Sequence, residues 1–166
     1  MAVDLDDDII ARATDLLTAC RTATKTLATA ESCTGGLISG ALTAIAGSSD
    51  VVERGFVVYS NQAKIDLLGV PADLLARRGA VSEEVVRAMV AGALARSQVD
   101  LAVACTGIAG PGGGSNAKPV GRVHIAAGLR GGSIAHVMRD YGDIGRDAVR
   151  RETVRDALAL ARELMD

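Results

Sequence analysis

Leu101-Ala102-Val103-Ala104-Cys105-Thr106 is apolar at every position before its closing threonine. A strand with one wet face alternates apolar and polar residues. An unbroken apolar run is what a central parallel strand carries when helices cover both faces of its sheet. The neighbouring segments supply those helices and further strands. Ile9, Ile10, Ala13, Leu16, Leu17 and Cys20 follow Asp6 to Asp8 at helical spacing, which predicts an amphipathic helix ending near Thr24. Leu27 to Ala30 reads as a short strand leading through Glu31-Ser32-Cys33-Thr34-Gly35-Gly36 into a buried helix at Leu37 to Leu42. A second strand, Gly55 to Ser60, breaks at Asn61 into a short helical pattern containing Lys64, Ile65, Leu67 and Leu68, which Gly69 and Pro71 stop. Ser82 is placed to cap a long helix burying Val85, Val86, Met89, Val90, Ala93 and Leu94. Beyond the apolar strand, Gly107 to Pro119 is irregular. Val120 to Leu129 and Ser133 to Tyr141 then read as a hairpin turning at Arg130-Gly131-Gly132, followed by a helix from about Gly145 to Met165. This order predicts an α/β fold, a mixed sheet flanked by helices, within one domain spanning 1–166.

Charge and composition remove several function classes. A formal net charge of -2 offers no electropositive footprint for a nucleic acid, and 2% aromatic residues leave few platforms for stacking bases. Cys20, Cys33 and Cys105 are odd in number and lack CxxC spacing, against a disulfide framework or a zinc knuckle. No basic segment followed by an apolar run opens the chain at Met1-Ala2-Val3, and no stretch approaches a membrane span. The expectation is a soluble cytoplasmic protein with neither nucleic-acid nor membrane partner.

Three segments end strands with small or polar residues, where open α/β sheets place their ligands. In the first, Ser32 is a candidate nucleophile whose oxyanion the N–H groups at the following helix start would hold. The same residues also suit a plain helix cap. Cys33 is the rival nucleophile, since a thiol at a helix start can have a lowered pKa. A histidine base is scarce: His124 and His136 both fall on the hairpin as sheet-surface residues, which disfavours a Ser-His-Asp triad. Lysine occurs only at positions 25, 64 and 118 among 18 basic residues. Arginine thus supplies the routine charge, and a lysine marks a place where a group able to lose its proton is wanted. Lys64 is then either a base or a solvated helix charge. The third segment, Thr106 to Pro119, offers backbone N–H groups but neither a Walker lysine nor a GxGxxG lead into a helix; it reads as a lid or a wrapped binding loop, or else as a mobile hairpin entry. Arg146 and Arg150, one turn apart, can clamp a phosphate or simply solvate their helix.

Taken together, Ala30-Glu31-Ser32-Cys33-Thr34-Gly35-Gly36, Tyr59-Ser60-Asn61-Gln62-Ala63-Lys64, Gly107-Ile108-Ala109-Gly110-Pro111-Gly112-Gly113, Lys118-Pro119-Val120-Gly121 and the Arg146/Arg150 helix closely resemble the CinA carboxy-terminal family. The resemblance covers nearly the whole chain. Members are nicotinamide-nucleotide amidohydrolases, also called NMN deamidases. The resemblance implies a three-layer α/β/α sandwich, anticodon-binding-domain-like, that hydrolyses the carboxamide of nicotinamide mononucleotide to nicotinate mononucleotide and ammonia without metal or cofactor. Carried over motif by motif, Ser32 resembles the nucleophile and Lys64 its base, with Tyr59 relaying or positioning the proton. By the same resemblance Cys33, Thr34, Gly35, Asn61, Thr106, Gly107, Gly110 and Gly112 line the substrate site, and Arg146 contacts phosphate or holds the loop. Ser115-Asn116-Ala117 departs from the Thr-Pro-Glu expected before Lys-Pro. Longer members carry an additional amino-terminal domain resembling molybdopterin-binding proteins, for which 166 residues leave no room. The implied partner is a small-molecule pyridine nucleotide, and the apolar, small-residue helices suit a homo-oligomer such as a homodimer. The alternative is a non-catalytic nucleotide-binding or interaction module tied to competence or DNA-damage responses.

Overall fold

In the computed structural model, residues 4–166 are described; Met1-Ala2-Val3, on which the expectation of no leader partly rests, lie outside the described residues. Helix α1 (Asp7–Thr22) starts where Asp6 accepts a hydrogen bond from Ile9 N at 3.0 Å, and it buries the predicted stripe of Ile9, Ala13, Leu16, Leu17 and Cys20. Strand β1 (Leu27–Glu31) is buried along its whole length and leads through a tight turn to α2 (Leu37–Thr43). Strand β2 (Val52–Val57) follows a single 3-10 turn. It sits three residues upstream of the predicted Gly55 to Ser60. The shift has a local cause: the carbonyls of Val58, Tyr59 and Ser60 turn toward the Lys64 amine instead of continuing a ladder. Helices α3 (Asn61–Leu68), α4 (Ala72–Arg78) and α5 (Glu83–Ala95) come next, with Ser60 and Ser82 capping α3 and α5 through their hydroxyls. Strand β3 (Leu101–Gly107) contains the apolar run, β4 (Arg122–Leu129) and β5 (Ile134–Asp140) form the hairpin, and α6 (Arg146–Glu163) closes the fold.

The five strands form one mixed sheet in the order β2-β1-β3-β4-β5, in which β2, β1 and β3 are parallel and β4 alone runs opposite to its neighbours β3 and β5. Its two faces are covered by different helices. Leu101, Val103 and Cys105 of β3 join the core shared with α1, α2 and α6, whereas Ala102 and Ala104 face the core made with α3, α4 and α5. This is the three-layer α/β/α sandwich, and the two-sided burial of β3 explains its lack of polar alternation. Register places Glu31 beside both Val57 and Cys105. The segments that leave the carboxyl ends of β1, β2 and β3 therefore emerge side by side, and these are the three motif-bearing segments.

Candidate active site

The turn after β1 carries Ser32, which is nearly buried at 8% exposure. Gly35 and Gly36 have φ of +60° and +104°, values that favour glycine and let the chain reverse into α2 within five residues. Opposite this turn, the first coil of α3 brings in Lys64, whose side chain is only 1% exposed. Its Nζ lies 3.1 Å from Ser32 Oγ, 3.0 Å from Val58 O and 3.2 Å from Tyr59 O. Burial holds the Lys64 pKa below the ordinary 10.5, with the nearby Cys33 and Cys105 thiols opposing that shift. A neutral amine has two hydrogens and one lone pair. Nζ donates to Ser32 Oγ and to the carbonyls of Val58, Tyr59 and, at 3.5 Å, Ser60; on losing a proton the amine would keep two hydrogens for the carbonyls and turn its lone pair to the Ser32 hydroxyl. The arrangement is that of a nucleophile and a base within hydrogen-bond reach.

Cys33 does not share this activation. The hydrogen-bonded Cys105 thiol, and then burial, push its pKa well above the usual value, so the lowered pKa that a thiol at a helix start can have is not found at Cys33. Nor do the start of α2 and its dipole stand free for an oxyanion. The Glu31 carboxylate accepts from Ile38 N at 2.8 Å and Ser39 N at 3.0 Å and already occupies them. Glu31, fully buried, had no assigned role in the sequence, where nothing distinguishes it from a solvated acid.

Tyr59, expected to relay or position the proton, meets Lys64 through its backbone and Arg146 through its ring. Its backbone carbonyl meets Lys64, while its side chain is 59% exposed and its hydroxyl accepts from Arg146 Nη2 at 2.8 Å. Arg146 also donates to Gly110 O at 3.0 Å, so it ties the Gly-rich loop to the segment between β2 and α3. Arg150 donates to Thr34 O at 3.0 Å, beneath the serine turn, and does not form a paired clamp with Arg146. Thr34 donates its hydroxyl to Glu31 at 2.6 Å, and Gly35 lies against the Arg150 guanidinium. Thr106 is buried and donates to Ala80 O at 2.9 Å, which fixes the α4–α5 connection. Gly107 ends β3, Gly112 lies on the exposed part of the loop, and Asn61 is exposed at the first position of α3. The loop's far side is held by Lys118, which donates to Arg78 O at 2.6 Å. His124 and His136 stack on each other across β4 and β5, with Nδ1 and Nε2 2.9 Å apart, and His136 continues to Glu83. Among the described residues, no group of three or more His, Cys, Asp or Glu is arranged to hold a metal ion, and no helix is long and apolar enough to cross a membrane.

The model of the CinA C-terminal domain family matches residues 10–165. The chain belongs to the CinA C-terminal domain family. Among its relatives in this family, a CinA-like protein from Synechococcus sp. (strain RCC307) is 54% identical over 159 residues, which are 95% of this chain and 37% of that protein. A CinA-like protein from Geobacter sulfurreducens is 53% identical over 133 residues, 80% of this chain and 32% of that one. The chain thus spans about a third of the length of the curated relatives it matches. The crystal structure of the competence/damage inducible protein CihA from Agrobacterium tumefaciens is similar with a TM-score of 0.96 and 51% identity over 100% of both chains. A CinA superfamily protein from Escherichia coli has a TM-score of 0.88 and 34% identity, covering 99% of this chain and 95% of that one. These likenesses extend over all three layers and include the strands whose carboxyl ends carry the Ser32 and Lys64 segments.

Proposed function

We propose that the chain is an amidohydrolase that converts nicotinamide mononucleotide to nicotinate mononucleotide and ammonia, with Ser32 as nucleophile and Lys64 as base. The observation that supports it most is the buried Lys64 Nζ, 3.1 Å from Ser32 Oγ and held by the backbone carbonyls of Val58, Tyr59 and Ser60. Neutral Lys64 accepts the Ser32 proton as Oγ attacks the carboxamide carbon. The resulting ammonium returns a proton to the departing nitrogen, so ammonia leaves and an acyl-serine remains. Water then attacks that ester, Lys64 takes its proton, and Ser32 is released with the carboxylate product. In this reading Arg146, which donates to Gly110 O and Tyr59 Oη, exchanges one of those bonds for the nucleotide phosphate.

The test is ammonia release by the purified chain, assayed with nicotinamide mononucleotide, nicotinamide riboside and NAD. The expected pattern is turnover of the mononucleotide, with Arg146→Ala raising the KM for the mononucleotide more than that for the phosphate-free riboside. Nucleotide binding in a calorimeter with no ammonia from any of the three would favour the non-catalytic module instead.

A further inference from the structure

Four donors converge on the buried Glu31 carboxylate at the end of β1. Thr34 Oγ1 lies at 2.6 Å and Ile38 N at 2.8 Å, with Ser39 N at 3.0 Å and Thr29 Oγ1 at 3.3 Å. A carboxylate is costly to bury unless its lone pairs are met, and here both oxygens are met by donors alone. Building on the serine-amidase reading, we propose that Glu31 is a positioning residue that holds the Ser32–Thr34 turn so that the Cys33 N–H group receives the substrate oxyanion.

The amides around Ser32 point to this group. Ser32 N donates to Cys105 O at 3.1 Å, Gly35 N to Ser32 O at 3.0 Å and Leu37 N to Thr34 O at 3.2 Å. Ile38 N and Ser39 N belong to Glu31. An oxyanion seated there would have to share donors with a second negative group and be repelled by it. Cys33 N, directly after the nucleophile, has no acceptor outside its own residue among the described residues, whereas Thr34 is fully buried and its N–H is closed to a substrate. The direction of the Cys33 N–H depends on the next residue, Thr34, which is gripped twice: its hydroxyl by Glu31 and its carbonyl by Arg150. Glu31 thus acts through Thr34 and has no contact with substrate in this arrangement.

Three variants test the assignment. Glu31→Gln keeps the shape but turns an NH2 group toward a backbone donor. Thr34→Val deletes the hydroxyl that Glu31 holds, and Thr34→Ser retains it. Expected is a fall in kcat on the order of 100-fold for Glu31→Gln and Thr34→Val with KM little changed, because the hole acts on the transition state. Thr34→Ser should remain close to wild type. Labelling of Ser32 by a fluorophosphonate, followed by intact mass, should slow in parallel, and it needs no pyridine substrate. A folded Glu31→Gln protein with wild-type kcat would overturn the proposal. So would equal impairment in Thr34→Ser and Thr34→Val, or a loss confined to KM. Should Glu31→Gln not fold, the Thr34 pair decides the matter. Wild-type protein that neither releases ammonia nor labels at Ser32 defeats the serine-amidase reading itself, and this proposal with it. Wild-type protein that labels but releases no ammonia defeats only the substrate assignment, and the labelling rates of the variants then decide the role of Glu31.

Discussion

Lys64 keeps an amine almost out of water, and its pKa is lowered by that burial from the ordinary 10.5. Between the folded and unfolded pKa values the native state binds fewer protons than the unfolded chain, so its stability rises with pH across that window and carries the full penalty below it. The expected outcome is that the unfolding free energy of wild type, measured against Lys64→Met in urea, increases as pH is raised toward 10.5. A difference that does not change with pH would show that Lys64 is not held below its ordinary value. The same deprotonation should form the acid limb of the kcat/KM profile. This residue was legible in the sequence because arginine supplies nearly all other positive charge, which makes a lysine after a strand end conspicuous. Tyr59 was less so: adjacency in a motif does not say which way a side chain leaves the backbone, and here the carbonyl faces Lys64 while the ring faces Arg146. Glu31 was not legible at all, because its partners at Ile38 and Ser39 are set by a turn whose closure depends on two positive-φ glycines.

Helix α3 has only eight residues, too few to be stable alone, so the position of Lys64 depends on what α3 packs against. Its support is α5, and the contact is a backbone approach at Gly92. A Cβ added there would lie 2.0 Å from Leu68 O, the carbonyl at the last residue of α3. Neither backbone can yield cheaply. Gly92→Ala is expected to destabilise the protein by about 3 kcal/mol and to lower activity by displacing Lys64; thermal unfolding and ammonia release check the two effects. A stable, fully active Gly92→Ala protein would mean that α3 is held otherwise. The existence and order of the helices and strands were readable from apolar periodicity, as the α1 and α5 stripes show. The boundary of β2 was not. As an edge strand it pairs on one side only, its Glu53, Arg54 and Gly55 are exposed, and its end is set by carbonyls recruited to Lys64.

Two cores meet at one strand. Because β3 contributes Leu101, Val103 and Cys105 to one and Ala102 and Ala104 to the other, loss of either helical layer exposes the strand that supports both. Urea unfolding should accordingly be a single transition, coincident by far-UV circular dichroism and by tyrosine fluorescence, to which Tyr141, anchored to Asp156 on α6, and Tyr59, bonded to Arg146, both contribute. Separate transitions would show that the layers fold independently. The parallel order of β2, β1 and β3 also aligns their carboxyl ends, which is how residues 32, 59–64 and 106–112 come to share one edge. That convergence underlies the chemistry proposed for the chain. It is tested most directly by measuring ammonia release from nicotinamide mononucleotide with Ser32→Ala, Lys64→Ala and Cys33→Ala side by side. The predicted result is no turnover in the first two, with the fold retained, and turnover preserved in Cys33→Ala. Activity that survives Ser32→Ala and disappears in Cys33→Ala would contradict the serine–lysine mechanism.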